Sequence, residues 1–205
     1  MSATDRRPIF ARDWKVMRFV ARFIARVGIT PNQISVLSIA CAGMACVALV
    51  KTRYGWPEGF ALAALFILLR LLCNMFDGMV AVEHGKQSPT GGIYNELPDR
   101  LSDILIIMGA AWALGWAEVG LWAALLAVLT AYVRTLSTYV GAPPDFSGPM
   151  AKQQRMFTMI AACLASTALP YLSPYFMLGA LVLIIVGSAW TCLSRTFRAL
   201  RALES

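Results

Sequence analysis

Six apolar stretches, each long enough to cross a bilayer, constrain this chain more than any other feature of its sequence. They lie at roughly 32–50, 59–82, 99–116, 119–140, 155–171 and 175–194. A hydrocarbon core about 30 Å thick requires roughly 17 to 25 apolar residues per spanning helix, and 59% of the 205 residues are hydrophobic. The sequence therefore predicts an all-α integral membrane protein, with residues 1–205 in a single membrane domain of six transmembrane helices.

The distribution of basic residues predicts how these helices are oriented. Many Lys and Arg residues precede the first stretch, and others flank the connections after the second and fourth stretches and follow the last. The opposite side carries only Lys51 and Arg53. By the positive-inside rule both termini should be cytoplasmic, in what we take to be a bacterial inner membrane. The net charge of +7 suits a bilayer of anionic lipid better than nucleic acid, and topology alone explains it equally well.

A basic amphipathic pattern precedes the first apolar stretch. In "IFARDWKVMRFVARFIARV", residues 9–27, one helical face is apolar and another is lined by basic side chains. This pattern predicts a cytoplasmic helix at 8–27 that lies in the plane of the membrane interface. Gly28 would end that helix, and Thr30 with Pro31 would cap and begin the next. Residues 28–196 would then form the six-helix bundle, and residues 197–205 a cytoplasmic tail.

Polar side chains interrupt the apolar pattern at the end of the second stretch and the beginning of the third. One set, spaced to share a face of the second helix, comprises Arg70, Asn74, Asp77, Gly78 and Ala81. Another set, spaced to share a face of the third helix, comprises Asn95, Asp99 and Asp103. If the two helices face each other, oxygen ligands converge at the cytoplasmic end of the bundle.

Ionisable groups beside hydrocarbon are costly, so this cluster predicts a functional site. Carboxylate and amide oxygens are hard ligands of the kind that Mg²⁺, Mn²⁺ or Ca²⁺ prefers. The alternative is a solvated group of helix-capping side chains. It explains the shared faces less well, and it leaves unexplained the small residues Gly78 and Ala81, which would let a ligand approach the backbone.

The segment "NMFDGMVAVEHGKQSPTGGIYNELPD", residues 74–99, resembles the signature of the CDP-alcohol phosphotransferases, D-x-x-D-G-x-x-A-R-x8-G-x3-D-x3-D, at every spacing. The matching positions are Asp77, Gly78, Ala81, Gly91 and Asp99. Asn74 and Asn95 stand at the first and third aspartate positions, and Val82 stands at the arginine position. The helix layout, the amphipathic segment and "TPNQIS" also look like this family, so the resemblance covers nearly the whole chain.

This resemblance implies an enzyme of phospholipid synthesis. Such enzymes cleave the diphosphate of a CDP-alcohol, usually CDP-diacylglycerol, transfer the phosphatidyl group to an alcohol acceptor and release CMP. The resemblance also implies one or two divalent ions, Mg²⁺ or Mn²⁺, at the positions of Asn74, Asp77, Asn95 and Asp99, with Asp99 as general base on the acceptor hydroxyl. Metal neutralises the charge on a leaving phosphate, and a carboxylate can take a proton. Similar proteins are homodimers.

The same resemblance implies contacts with both substrates. The positions that would line the nucleotide pocket are Thr30, Pro31, Asn32, Gly78, Ala81 and Gly91. Lys152 and Arg155, at the entrance of the fifth stretch, match a region that contacts the acceptor, particularly a phosphorylated one. Positive-inside charge explains these two cations equally well.

The departures from the signature leave alternatives open. Two asparagines change the formal charge of the matched ligand set from −4 to −2, which still permits one metal ion or two. Glu96 and Asp103 could supply the missing charge. Arg70 could replace the cation absent at Val82, or could only offset the carboxylates. A degenerate family member that binds CDP-lipid or metal without turnover is the rival interpretation, and the sequence does not name the acceptor.

Overall fold

Every element is helical in the part of the chain that the computed structural model describes, residues 14–83 and 89–204. In chain order the helices are α1 Lys15–Val27, α2 Pro31–Thr52, α3 Gly59–Glu83, α4 Gly91–Leu114, α5 Ala117–Tyr139, α6 Lys152–Ala168 and α7 Ser173–Glu204. A single 3₁₀ turn, Pro170–Leu172, precedes α7. The all-α prediction is confirmed, while residues 8–13 of the predicted amphipathic helix lie outside the described residues.

Local chemistry fixes the corner between α1 and α2. Gly28 ends α1 with φ +89°, a left-handed conformation that glycine adopts without a steric penalty. Thr30 and Gln33 then form a reciprocal capping box, because the Thr30 backbone N–H donates to Gln33 Oε1 at 2.9 Å and the Gln33 N–H donates to Thr30 Oγ1 at 3.3 Å. Pro31 occupies the first position of α2, where its missing N–H costs nothing.

Four helical segments in the described residues are long and apolar enough to cross a membrane. They are Pro31–Thr52, Gly59–Val82, Ala117–Tyr139 and Pro170–Glu204. α4 has 24 residues but carries four charged side chains within its first thirteen, and α6 has only 17 residues. The structure therefore shows a membrane protein with four segments that qualify by length and composition, where the sequence predicts six spans. The last of them continues to Glu204 through the predicted tail.

Small side chains form much of the apolar core. The buried alanines include Ala42, Ala45, Ala48, Ala63, Ala110 and Ala111. At Gly109 a Cβ atom would lie only 2.9 Å from the Cα of Cys46, so α4 and α2 approach closely at this point. Such contacts between small residues are how helices gain packing energy in a bilayer. The close approach holds α4 in a fixed position relative to α2.

The amphipathic helix α1 packs against α3. Ala21 is completely buried, and it forms a small apolar cluster with Met75 and Met79 of α3. The other side of α1 exposes large apolar side chains, including those of Phe19 and Phe23. Part of the apolar surface of α1 thus serves a contact within the chain. Met75 and Met79 lie beside the polar face of α3, so their contact with α1 also helps to fix the position of that face.

Candidate active site

Charged side chains from three helices lie next to one another at one end of the bundle. They are Arg70 and Asp77 of α3, Asp99 and Asp103 of α4, and Lys152 and Arg155 of α6. Five of the six are buried residues, and the side chain of Lys152 is 14% exposed. A buried charge is costly unless it is paired or coordinated, so the partners of each group indicate what the cluster does.

Arg70 joins the two carboxylates of α4. Its Nη2 contacts Asp103 Oδ1 at 2.8 Å and Asp99 Oδ1 at 3.4 Å, and it donates to the carbonyl oxygen of Asp99 at 3.3 Å. The side chain of Arg70 is completely buried, yet Nε and Nη1 have no hydrogen-bond partner. The sequence predicts Arg70 as an auxiliary residue on the ligand face, and the structure places it between Asp99 and Asp103.

Arg155 holds the other side of Asp103. Its Nη2 and Nε contact Asp103 Oδ2 at 2.7 and 3.2 Å, while its Nη1 donates to Met150 O at 2.8 Å and to Thr130 Oγ1 at 3.1 Å. All three nitrogens of this buried guanidinium therefore have partners within the chain. The carboxylate of Asp103 is held by two arginines, and Arg155 links it to α5 and to the segment that precedes α6.

Asp99 lies between two cations. Its Oδ2 forms an ion pair with Lys152 Nζ, and its Oδ1 faces Arg70. Lys152 is the first residue of α6, so the start of that helix determines where the ammonium group lies. Both oxygens of this buried carboxylate thus face a cation.

Asp77 is in a different environment. It is 5% exposed, and one of its oxygens accepts a hydrogen bond of 2.7 Å from Ser35 Oγ on α2. Within the described ranges, no Lys or Arg nitrogen forms a salt bridge with it, although Lys152 and Asp99 are close enough to influence it electrostatically. One turn earlier on α3, the buried amide nitrogen of Asn74 has no hydrogen-bond partner. Asp77 is therefore a buried carboxylate whose direct contacts are neutral donors, the hydroxyl of Ser35 and the backbone N–H of Gly78.

The remaining predicted residues are distributed around this cluster. Thr30, Pro31 and Asn32 lie at the start of α2, one turn before Ser35, and Gly78 and Ala81 follow Asp77 on α3. Gly91 opens α4. Asn95 is exposed, and no hydrogen bond or ion pair within the described part of the chain joins it to the cluster. Glu96 instead contacts Arg100 and, at 2.5 Å, Arg134 Nη2 of α5, so the structure does not bring Glu96 to Asp77 and Asp99.

The segment between α5 and α6, residues 140–151, is fastened to α7. Arg195 donates from Nε to Ser147 O at 2.9 Å and from Nη1 to Thr130 O at 2.7 Å, while its buried Nη2 has no partner. The N–H of Met150 donates to Thr191 Oγ1 at 3.1 Å. Since this segment leads directly into Lys152, α7 helps to set the position of the cation that contacts Asp99.

An ion pair on the surface of the same segment adds to this attachment. Asp145 Oδ2 contacts Arg198 Nε at 2.7 Å, and Asp145 Oδ1 accepts from the N–H and the hydroxyl of Ser147. Partial burial favours the neutral carboxyl. The hydrogen bonds from Ser147 and the ion pair with Arg198 outweigh it and hold the pKa of Asp145 below its usual range.

The sequence does not single out Ser35, Thr130 or Arg195 as site residues. Ser35 and Thr130 are ordinary polar residues within apolar helices, and their contacts depend on tertiary packing. Arg195 has a weak signal, because Thr191 and Arg195 are four residues apart at the end of the last apolar stretch. That spacing places them on one face of a helix, and both are buried there.

The residues around Asp77 fit a hard divalent cation such as Mg²⁺ or Mn²⁺. A buried carboxylate without a salt bridge calls for a positive charge, and Asn74, one turn away, carries an amide whose NH₂ group is unpartnered. The oxygen and nitrogen of such an amide are assigned from hydrogen bonds alone, so the side chain can present its oxygen as a ligand. No group of three or more His, Cys, Asp or Glu side chains arranged around a metal position occurs among residues 14–83 and 89–204.

Comparison with known proteins agrees with this geometry. The family model for CDP-alcohol phosphatidyltransferase matches residues 28–187. The phosphatidylinositol phosphate synthase of Mycolicibacterium smegmatis is 29% identical over 137 residues, which are 65% of this chain and 58% of that synthase. The match thus spans less than two thirds of that relative's length.

Solved structures show the same fold. The crystal structure of Mycobacterium tuberculosis phosphatidylinositol phosphate synthase with CDP-DAG bound has a TM-score of 0.75 and 21% identity, and the match covers 91% of this chain and 94% of that one. The same protein in complex with manganese and citrate also has a TM-score of 0.75, with coverage of 90% and 88%. At this identity the likeness concerns the fold.

The described residues form a helical membrane protein with a cluster of buried carboxylates at one end of its bundle. The chain belongs to the CDP-alcohol phosphatidyltransferase family, as its signature predicts. Members of this family are enzymes that transfer a phosphatidyl group from a CDP-activated alcohol to a second alcohol.

Proposed function

We propose that this chain is an active transferase that moves the phosphatidyl group of CDP-diacylglycerol, or the substituted phosphate of another CDP-alcohol, to an alcohol acceptor and releases CMP. The difference between the surroundings of Asp99 and Asp77 supports activity, although the signature carries substitutions. Asp99 is held between Arg70 and Lys152, whereas Asp77 is buried beside Asn74 without a salt bridge. A site that had lost its function would have little reason to keep a buried carboxylate uncompensated.

The matched positions Asn74, Asp77, Asn95 and Asp99 are the candidates for holding Mg²⁺ or Mn²⁺, and Asp77 has the strongest claim because no Lys or Arg of the described residues forms a salt bridge with it. When bound, such an ion would neutralise negative charge on the diphosphate. Manganese in the solved M. tuberculosis synthase supports this choice. Asn95 is exposed, so its amide is the least fixed of the four.

Asp99 takes the proton of the acceptor hydroxyl in this proposal. Its carboxylate is fixed by Arg70 on one oxygen and Lys152 on the other, so it meets the acceptor in a defined orientation, as a general base requires. Around it, the residues that would line the nucleotide pocket are Thr30, Pro31, Asn32, Gly78, Ala81 and Gly91. The capping box at Thr30 and the small side chains on α3 would leave space for the nucleotide next to Asp77.

A phosphorylated polyol is the proposed acceptor class. The curated relatives that support it are phosphatidylinositol phosphate synthases. Lys152 and the unpartnered Nη2 of Arg195 are cationic donors near Asp99 and the segment before α6, and charge-assisted donors suit a phosphate. Arg155 is a weaker candidate for direct contact because all of its nitrogens already have partners, and we assign it to positioning Asp103.

The membrane arrangement follows from the same proposal. α2 to α7 would span the bilayer, because the charged side chains Asp99 and Asp103 of α4 and Lys152 and Arg155 of α6 line the site and need no contact with lipid. The exposed Phe19 and Phe23 would place α1 at the interface. Positive-inside charge would put the site and both termini on the cytoplasmic side of a bacterial inner membrane. Association as a homodimer remains part of the proposal.

The decisive experiment incubates purified protein with CDP-diacylglycerol, Mg²⁺ or Mn²⁺, and a mixture of polyols and phosphorylated polyols, and analyses the lipids by mass spectrometry. We expect CMP release together with a new phospholipid whose mass identifies the acceptor. Nucleotide binding without CMP release for any acceptor would support the rival interpretation, a degenerate family member that binds CDP-lipid or metal without turnover. The departures from the signature at Asn74, Val82 and Asn95 are the reason for considering it.

A further inference from the structure

We propose that the site takes one divalent ion per chain, held at Asp77, and that Arg70 and Lys152 supply the positive charge at Asp99 that a second ion would otherwise provide. This inference rests on the proposed function only in taking the site to bind a divalent cation. It concerns how this chain tolerates two asparagines in a signature of aspartates.

Asp99 contacts two cationic side chains of the protein. Arg70 Nη2 lies 3.4 Å from Asp99 Oδ1, and Lys152 Nζ contacts Oδ2. Asp99 is 4% exposed and Arg70 is completely buried, so water does little to screen these charges. A divalent ion on this carboxylate would have to displace Lys152 or lie beside two positive side chains. Either arrangement is unfavourable, and Asp99 is therefore compensated by the protein itself.

Asp77 presents the opposite case. Its direct contacts are neutral donors, the hydroxyl of Ser35 at 2.7 Å and the backbone N–H of Gly78, and no salt bridge to a protein cation exists within the described ranges. On the same face, Asn74 has an amide NH₂ group without a partner. One carboxylate and one adjacent amide suit an ion that completes its coordination with substrate oxygens, which is the usual way Mg²⁺ is bound next to phosphates.

A charge count supports a single ion. The buried carboxylates are Asp77, Asp99 and Asp103, and the cations that contact two of them are Arg70, Lys152 and Arg155. Three negative and three positive charges sum to zero. A CDP-alcohol diphosphate carries two negative charges. With that substrate bound and no acceptor, and counting the described residues, one divalent ion makes the site neutral, whereas two ions leave an excess of two positive charges. Uncompensated charge of that size is costly in a buried site.

The two asparagines of the signature, Asn74 and Asn95, are consistent with this charge balance. Aspartates at positions 74 and 95 would add two negative charges, and a second divalent ion would then be balanced. The loss of those two charges and the loss of one ion therefore offset each other. On this basis Asn74 and Asn95 are matched to the protein's own cations at Asp99, and they need not indicate an inactive site.

Mn²⁺ binding tests the inference directly on the full chain in detergent or nanodiscs. We expect equilibrium titration to give one Mn²⁺ per chain, and electron paramagnetic resonance to show the six-line spectrum of an isolated ion. The result should hold with Mn²⁺ alone and with Mn²⁺ plus CDP-diacylglycerol without acceptor. Two ions per chain with a spectrum of exchange-coupled Mn²⁺, as expected for ions about 3.5–4 Å apart, would overturn the proposal.

Isosteric variants locate the ion. Asp77→Asn should lower Mn²⁺ affinity by about tenfold or more. Asp99→Asn should lower it clearly less, because the ion would not contact the Asp99 carboxylate and would feel only the excess charge left on Arg70 and Lys152. Gln154→Ala, an exposed position on α6, serves as a control. Equal loss of Mn²⁺ binding in the two aspartate variants would contradict the assignment, and the stoichiometry of the unmodified chain decides the question even if a variant fails to fold.

A gain-of-binding variant completes the test. The double substitution Asn74→Asp with Asn95→Asp should raise the stoichiometry toward two Mn²⁺ per chain, and no second ion in this variant would count against the charge argument. CMP release is measured separately on the same samples. One bound Mn²⁺ without turnover would support the single-ion inference and contradict the proposed function. Turnover with two coupled ions would contradict the inference and support the proposed function.

Discussion

Arg155 Nη2 and Asp103 Oδ2 lie 2.7 Å apart, and only 1% of each side chain is exposed. Removing Asp103 leaves the buried guanidinium of Arg155 without a carboxylate, and removing Arg155 leaves buried Asp103 Oδ2 without its cation, with Arg70 remaining on Oδ1 alone. Arg155→Met should therefore lower the free energy of unfolding by about 3–5 kcal/mol, measured by reversible denaturation in detergent. Arg155→Met combined with Asp103→Leu should recover much of the loss, and an equal or larger loss in the double variant would contradict the interpretation.

Asp99→Asn should abolish most of the transfer activity while the protein remains folded. The amide cannot accept the proton of the acceptor hydroxyl, and loss of a general base typically costs a factor of about 10²–10⁴ in rate. CMP release from CDP-diacylglycerol plus acceptor measures the effect. Glu118→Gln, an exposed change at the start of α5, should retain full activity. Near wild-type turnover in Asp99→Asn would remove Asp99 from the role of base.

Arg195→Met should impair use of a phosphorylated acceptor more than use of its unphosphorylated analogue. If Nη2 donates to the acceptor phosphate, loss of this charge-assisted bond should raise KM for the phosphorylated compound by about tenfold or more. The ratio of the two KM values is the readout, because general damage to the segment before α6 would raise both. Arg198→Met, on the exposed side of α7, is the matched control and should leave the ratio unchanged.

Gly109→Ala should destabilise the bundle, because the new methyl group would lie 2.9 Å from the Cα of Cys46. Overpacking of this kind typically costs about 1–3 kcal/mol. Gly43→Ala is the matched control in α2, where a Cβ atom meets nothing within 4 Å, and it should stabilise by roughly 0.5–1 kcal/mol. Thermal unfolding of both variants checks the signs, and equal effects would exclude close packing as the cause.

The Asp145 ion pair should contribute stability only while the carboxylate is ionised. Its pKa is held below the usual range in the folded state, so the contribution is present above the unfolded value of about 3.9 and disappears as the pH falls through the folded value. Melting temperatures of wild type and Asp145→Asn should differ at about pH 7 and converge below about pH 4. A difference that did not change with pH would rule out the ion pair as its source.

The sequence predicts the helical class and the polar face of α3 because both depend on local spacing. Asn74 and Asp77 lie on one face of α3 in the structure, and α4 begins at Gly91, as the spacing of Asp99 and Asp103 requires. These features follow from the helical period alone. The corner at Gly28 and Thr30 is likewise local, since each cap is made by residues within a few positions.

The contacts that distinguish Asp77 from Asp99 could not be predicted in this way. They depend on Ser35, more than 40 residues before Asp77, and on Lys152, more than 50 residues after Asp99. The type of a side chain does not reveal such pairings. A lysine at the start of a helix is equally consistent with positive-inside topology and with an ion pair inside the bundle. The span count differs for a related reason: charged residues at the start of α4 lower its hydropathy while tertiary contacts bury them.

The attachment of the segment before α6 to α7 also has a consequence for biosynthesis. Lys152 is made before α7, yet the groups that fasten its segment, Thr191 and Arg195, are near the end of that last helix. A nascent chain that has inserted its earlier helices therefore still lacks a fixed ammonium group opposite Asp99. The candidate site would be complete only after the ribosome has made α7, so partly made chains would lack the arrangement that the proposed transfer requires.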